Sequence, residues 1–147
     1  LELAVRIIAR GDDDAAHAQL FRRVLNNQEI SANVHHVSDG QTALDYLFRR
    51  GSYCDEASAP RPDVIVLDIR LPVVDGFEVL RQVKSASELH LIPVIMLSTS
   101  FTQQDVARAY ELHANSYLVK PSDFDKFSAM IGQLWEYWLK WNQPAGA

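Results

Sequence analysis

Asp63-Val64-Ile65-Val66-Leu67-Asp68 decides the fold: a run of four consecutive apolar residues, three of them β-branched, ending in an acid. A half-exposed strand would alternate apolar and polar positions. Apolar side chains on consecutive positions suit a parallel strand covered on both faces. Working outward, similar short runs recur between helical stripes. Upstream, roughly Leu3 to Ala9 reads as a strand, followed by Asp12-Asp13-Asp14 and a helical pattern through Leu20, Val24 and Leu25. Ala32 to Val37 reads as a second strand. Ser38-Asp39-Gly40 then supplies turn and capping chemistry ahead of a helix carrying Ala43, Leu44, Leu47 and Phe48. Gly51 to Pro62 is the one long loop. Downstream, Pro72 to Gly76 form a turn, and Phe77, Leu80, Val83 and Lys84 outline a helix. Pro93 opens the strand Val94-Ile95-Met96-Leu97, which runs into Ser98-Thr99-Ser100. A helix from about Gln103 to Leu112 precedes the strand Ser116-Tyr117-Leu118-Val119. Lys120-Pro121 breaks that strand, and Ser122 or Asp123 can cap a long last helix over about 122–141.

Five strands and five helices in strict alternation predict an α/β, doubly wound, five-stranded parallel sheet. It is expected as one domain over 1–147, with its site at the carboxyl ends of the strands. An apolar fraction of 48% and a charged fraction of 22% are those of a globular chain. A net charge of −5 argues against a nucleic-acid surface. The single cysteine, Cys54, rules out an internal disulfide or a zinc site built on cysteines. No apolar run approaches a membrane span and no stretch reads as a signal peptide, so no membrane partner and a cytoplasmic location are expected.

The polar residues just after each strand form a short set: Asp12 and Asp13, Asp68, Ser98 and Thr99, and Lys120. In a parallel sheet all of these emerge on one edge. Three crowded carboxylates repel one another and invite a hard divalent cation such as Mg²⁺, with oxygen ligands. A carboxylate there could attack phosphorus while the cation, a hydroxyl and an ammonium hold the phosphoryl oxygens. Singly, each residue has a plainer role: an Asp after a strand often caps a helix, Ser98 or Thr99 could do the same, and a lone lysine is usually solvated. Their convergence on one edge favours the chemical reading.

The stretch Val64 to Gly76, with Asp68 and the turn Leu71-Pro72-Val73-Val74-Asp75-Gly76, resembles the acceptor motif of response regulator receiver domains. Ser98, thirty residues on, falls where that family carries Thr or Ser. Lys120-Pro121, fifty-two residues on, matches its Lys-Pro, and Tyr117 lies at its aromatic switch position. The resemblance spans essentially the whole chain. It implies a flavodoxin-like strand order 2-1-3-4-5 and a phosphoacceptor Asp68 charged from a phosphohistidine. Mg²⁺ would be held by Asp12, Asp13, Asp68 and the backbone carbonyl of Arg70. Ser98 and Lys120 would contact the phosphoryl group, Tyr117 would be a rotamer switch, and the Lys120–Pro121 bond would be cis. Such a domain is a signalling module and not an enzyme on external substrates; it catalyses only its own phosphoryl transfer and dephosphorylation. The loop Gly51 to Pro62, Leu97-Ser98-Thr99-Ser100, Tyr110 to Leu118 and the aromatic tail are similar to small regulators of bacterial phytochrome histidine kinases. This implies a phytochrome-type sensor histidine kinase, or a histidine phosphotransfer protein, as partner.

The first strand departs from the family pattern, because Ile8-Ala9-Arg10-Gly11 precedes the acids where two large apolar residues are usual. Three consecutive acids leave the register open; Asp12 and Asp13 are taken as the ligands and Asp14 as a cap. A pseudo-receiver that binds without phosphoryl chemistry is therefore the alternative. A phosphohydrolase is disfavoured by Arg70, where such enzymes need a general acid. A flavin site is disfavoured because no phosphate-cradling loop follows the first strand. Phe124, Phe127, Ile131, Leu134, Trp138 and Trp141 form a helical stripe. Phe124, Phe127 and Ile131 are expected on the sheet. Trp135, Tyr137, Trp138 and Trp141 are expected to form an exposed aromatic surface suited to a homodimer through the last helix.

Overall fold

The computed structural model describes residues 3–8, 14–27, 32–55, 59–143 and 145. Strands β1 (Leu3–Ile8), β2 (Ala32–Val37), β3 (Val64–Asp68), β4 (Val94–Ser98) and β5 (Ser116–Val119) alternate with helices α1 (Asp14–Asn27), α2 (Gly40–Leu47), α3 (Gly76–Ser85), α4 (Gln103–Glu111) and α5 (Phe124–Trp135). The strands pair in parallel in the order β2-β1-β3-β4-β5. Ile8 lies opposite both Val37 and Leu67, Asp68 opposite Leu97, and Ser98 opposite Val119.

The apolar run of β3 serves two cores. Ile65 and Leu67, with Val94 and Met96 of β4, face a cluster completed by Leu44 and Leu47 of α2 and Phe77, Leu80 and Val83 of α3. Val64 and Val66, with Ile95 and Leu97, face Leu20 and Val24 of α1 and Phe127, Ile131, Leu134 and Trp135 of α5. Successive strand residues point to opposite faces, so two buried faces require apolar residues at every position.

Helix starts follow their capping residues. Asp39, Asp75, Thr102 and Asp123 each accept a hydrogen bond from the backbone N–H three residues on, at Thr42, Glu78, Asp105 and Lys126. The cap of α4 is thus Thr102, not Ser98 or Thr99, and that of α5 is Asp123. The end of the long loop is held against α2: Tyr46 Oη donates to Pro60 O at 2.6 Å and Arg49 Nε to Ala59 O at 3.2 Å, with Ala59 buried. Cys54 sits exposed in this loop.

Two expectations for the last helix are corrected. Trp135 is fully buried, because it follows Ile131 by four residues on the inward stripe. Phe124 is 58% exposed: as the first helical residue its side chain leans back off the helix end. Phe127 and Ile131 are buried as expected. After Trp135 the helix widens into a π-helical turn, Glu136–Trp141, closed by Asn142 N donating to Tyr137 O. There Tyr137 and Trp141 are exposed and Trp138 is half-buried.

The turn between β3 and α3 holds the main backbone outlier. Val73 has φ of 70° with its side chain 82% exposed. A β-branched residue in the left-handed region is strained by about 1–2 kcal/mol, and so exposed a side chain recovers little by packing. The turn is braced from α2, where Gly40 N donates to Pro72 O at 3.2 Å. A β-carbon on Gly40 would lie 1.8 Å from Val74 O, so only glycine fits. Replacing Val73 with Asn, which tolerates this conformation, is expected to raise the unfolding free energy by about 1 kcal/mol. A urea titration showing an unchanged or lower midpoint would contradict the strain assignment.

Candidate functional site

Because all five strands are parallel, their carboxyl ends share one edge. β3 delivers Asp68 there with its carboxylate only 14% exposed. β4 delivers Ser98, which is buried. β5 ends one residue before Lys120, whose backbone N donates to Ser98 O at 2.8 Å and so prolongs the ladder. From that position Lys120 Nζ reaches past the end of β4 to Asp68 Oδ2, at 2.9 Å. Two strand spacings are about 10 Å, a gap that needs a long side chain at position 120. The other carboxylate oxygen, Oδ1, accepts the backbone N–H of Arg70 at 3.1 Å. The turn behind it is closed by Gly76 N donating to Ile69 O at 2.7 Å. A β-carbon at Gly76 would lie 2.1 Å from Asp68 O, so the glycine lets β3 and α3 stay in contact.

Ser98 Oγ accepts from Ser100 N at 3.1 Å, which bends the chain at the end of β4. The Ser100 carbonyl accepts the Tyr117 hydroxyl at 2.9 Å, and the half-buried Tyr117 ring packs on the α2–α3 side of the core. Ser100 Oγ donates to Asp105 Oδ2 in the first turn of α4. Ser98, Ser100, Tyr117 and α4 are therefore linked through a few hydrogen bonds. The Lys120–Pro121 bond is trans, contrary to the expectation of a cis bond. The two isomers of a tertiary amide differ by only about 0.5–1 kcal/mol, and the lysine reaches Asp68 with the bond trans.

The structure thus brings together Asp68, Ser98, Lys120 and the backbone of Arg70, with Tyr117 one strand turn away. Asp12 and Asp13 lie outside the described residues, as do Arg10 and Gly11. Ile8 ends β1 opposite Leu67, so the described part of β1 ends at the edge where Asp68 stands. Among the described residues no cluster of three acidic, His or Cys side chains could hold a metal. The donors that are described, a carboxylate and a main-chain carbonyl, are hard oxygens of the kind Mg²⁺ takes. Sequence reasoning missed Ser100 and Gly40. Gly40 acts against the backbone of Pro72 and Val74, and Ser100 through the side chains of Ser98, Tyr117 and Asp105, partners that no local pattern encodes.

A parallel sheet with an acid and a lysine facing each other across its carboxyl edge is the arrangement expected of a receiver-type signalling domain. Residues 8–132 match the response regulator receiver domain, and the chain belongs to that family. It has the flavodoxin-like receiver fold, and receiver domains are signalling domains rather than conventional enzymes. Within the family it is related to phytochrome response regulators. It resembles the phosphorylated cyanobacterial phytochrome response regulator RcpA with a TM-score of 0.90 at 34% identity, covering 99% of this chain and 100% of that one. Rcp1 of Synechocystis sp. is 35% identical over 135 residues, 92% of this chain and 90% of Rcp1. The Mn²⁺-bound form of Rcp1 superposes with a TM-score of 0.88 at 31% identity, covering 98% of this chain and 99% of that one. The probable methanogenesis regulatory protein FilR2 of Methanothrix harundinacea is 39% identical over 140 residues, 95% of this chain and 88% of FilR2. Among the described residues no helix is long and apolar enough to cross a membrane.

Replacing Lys120 by Met leaves a largely buried carboxylate without its cation and is expected to lower stability by about 1–3 kcal/mol. The double variant Lys120→Met, Asp68→Ala should recover much of that loss, because both partners are then gone. Equal stabilities of the single and double variants in urea would show that the pair is energetically idle.

Proposed function

We propose that this chain is a response regulator of a two-component phosphorelay, read as a single receiver domain over 1–147 in which Asp68 accepts a phosphoryl group. The observation that carries this is the contact of Lys120 Nζ with Asp68 Oδ2 beside the buried Ser98 hydroxyl. In this reading Asp68 attacks the phosphorus of a phosphohistidine, the P–N bond breaks and the proton stays with the departing imidazole. Lys120 balances charge on the phosphoryl oxygens, and Ser98 turns its hydroxyl to donate to one of them. Asp12, Asp13, Asp68 and the Arg70 carbonyl would hold Mg²⁺. When bound, the cation neutralises the crowded acids and the incoming phosphoryl charge. Drawing Ser98 toward the phosphate pulls on Ser100, the partner of Tyr117, so the reaction shifts a population of conformers on the α4–β5 side.

The donor is proposed as a phytochrome-type sensor histidine kinase or a histidine phosphotransfer protein, supported by the similarity to RcpA and Rcp1. A cytoplasmic location and the absence of nucleic-acid and membrane partners belong to the same reading. Tyr137 at 54% and Trp141 at 75% exposure support a homodimer through the end of the last helix. A pseudo-receiver remains the second reading, favoured by Arg10 and Gly11 before the acids.

Incubation with Mg²⁺ and a small phosphoryl donor should add the mass of one phosphoryl group to the protein and none to Asp68→Asn. Removing Mg²⁺ with a chelator should abolish the gain. No gain with donor or kinase would select the pseudo-receiver instead. Sedimentation at micromolar concentration should show a dimer that Trp141→Glu weakens at least tenfold; a monomer under all conditions would sink the homodimer.

A further inference from the structure

Helix α4 is seated differently from its neighbours. Of its nine residues only Ala109 is buried. At its N-terminal end stand the Thr102 cap, the Ser100–Asp105 hydrogen bond and Phe101, which is 79% exposed. Along its length Arg108 lies over the Phe77 ring of α3, 4.3 Å from the centroid. At its C-terminal end the chain turns through His113, at φ of 71°, into Asn115. There the fastening is of another kind. Asn115 N donates to Val94 O at 2.9 Å, and Asn115 Oδ1 accepts from Val94 N at 2.9 Å, so one residue closes both bonds at the start of β4.

Lys84, at the end of α3, completes this junction. Its Nζ donates to Asn115 Oδ1 at 2.8 Å, to Ile92 O at 2.8 Å and to His90 O at 3.0 Å. All three hydrogens of the ammonium are committed, and among the described residues Lys84 forms no ion pair. Burial pushes the amine down to about 8, while three oxygen acceptors favour the charged form. A lysine tip on a helix surface is ordinarily left in water. Here it joins α3, the α3–β4 connection and the entry to β5 at the sheet edge opposite Asp68.

We propose that Lys84 is a positioning residue of the switch, fixing the C-terminal end of α4 so that α4 pivots about the turn at Leu112–Asn115 instead of sliding as a body. The proposal rests on the reading of Asp68 as acceptor. The lengths are favourable: nine residues at about 1.5 Å each give a lever of about 14 Å. A shift of about 1–2 Å at Thr102, usual for helices in switching proteins, then needs a tilt of only about 4–8°. The Arg108–Phe77 contact tolerates such a tilt, because a cation remains attracted anywhere over the ring within about 6 Å. The three short hydrogen bonds of Lys84 do not, since they weaken steeply with angle.

Amide hydrogen exchange and chemical shifts, read residue by residue by NMR with and without beryllofluoride and Mg²⁺, test this. In the parent protein, beryllofluoride should move the amides from Ser98 through Ala109 and leave Ala114, Asn115 and Val94 in place. Lys84→Met keeps the apolar stem and removes the ammonium. It should speed exchange at Asn115 and Val94 at least tenfold, leave Val66 and Leu67 within about twofold, and let the beryllofluoride shifts spread through Asn115. Shifts as large at Asn115 as at Thr102 in the parent protein would overturn the pivot while leaving the acceptor assignment standing, and they need no variant that folds. An unchanged exchange pattern in Lys84→Met, or a uniform rise across the sheet, would overturn the positioning role. If beryllofluoride moves no amide in either protein, the acceptor reading falls and the pivot falls with it.

Discussion

The contact between Lys120 and Asp68 is the interaction on which the arrangement of the site depends. It crosses from the outermost strand to the middle one, over the end of β4, and closes the carboxyl edge of the sheet. The ammonium offsets the charge of the carboxylate it touches, and the sheet beneath holds the two in place. β3 and β4 are buried on both faces, with α1 and α5 on one side and α2 and α3 on the other. Two cores meeting on one layer leave the strand ends little freedom, so Asp68 and Ser98 project from a fixed base.

The connections leaving that base differ in how they are held. The turn after β3 is pinned by two glycines, Gly40 of α2 and Gly76 at the start of α3, each approached by a carbonyl where a β-carbon would collide. The turn after β4 is held by Ser98, Ser100 and Tyr117 through single hydrogen bonds. The first is thus held by close backbone packing beside Asp68, and the second by side-chain hydrogen bonds around Ser98 and Ser100.

Much of this was legible in the sequence because it is written in consecutive or regularly spaced residues. The two-sided burial of Val64 to Leu67 follows from an uninterrupted apolar run. The convergence of Asp68, Ser98 and Lys120 follows from their place at strand ends in a parallel sheet. What was not legible depends on contacts between distant elements. Gly40 reads as half of an Asp-Gly turn, and its role against Val74 appears only when α2 and the β3–α3 turn are adjacent. Lys84 reads only as one of the residues that outline a helix until Asn115 is seen beside it. Trp135 and Phe124 were exchanged, since a stripe with spacings of three and four does not say where the sheet beneath it ends. The trans Lys120–Pro121 bond depends on a small energy difference that sequence cannot resolve.

The loop after α2 has a practical consequence. Helices in this architecture run opposite to the strands, so the loop carrying Cys54 lies at the amino edge of the sheet, away from Asp68. Tyr46 and Arg49 tether the far end of that loop to the end of α2 through the carbonyls of Pro60 and Ala59. The chain holds one thiol, and it is exposed. A fluorophore or spin label attached there would sit at the edge of the sheet remote from Asp68, giving a single-site reporter that needs no engineered cysteine and no removal of native ones.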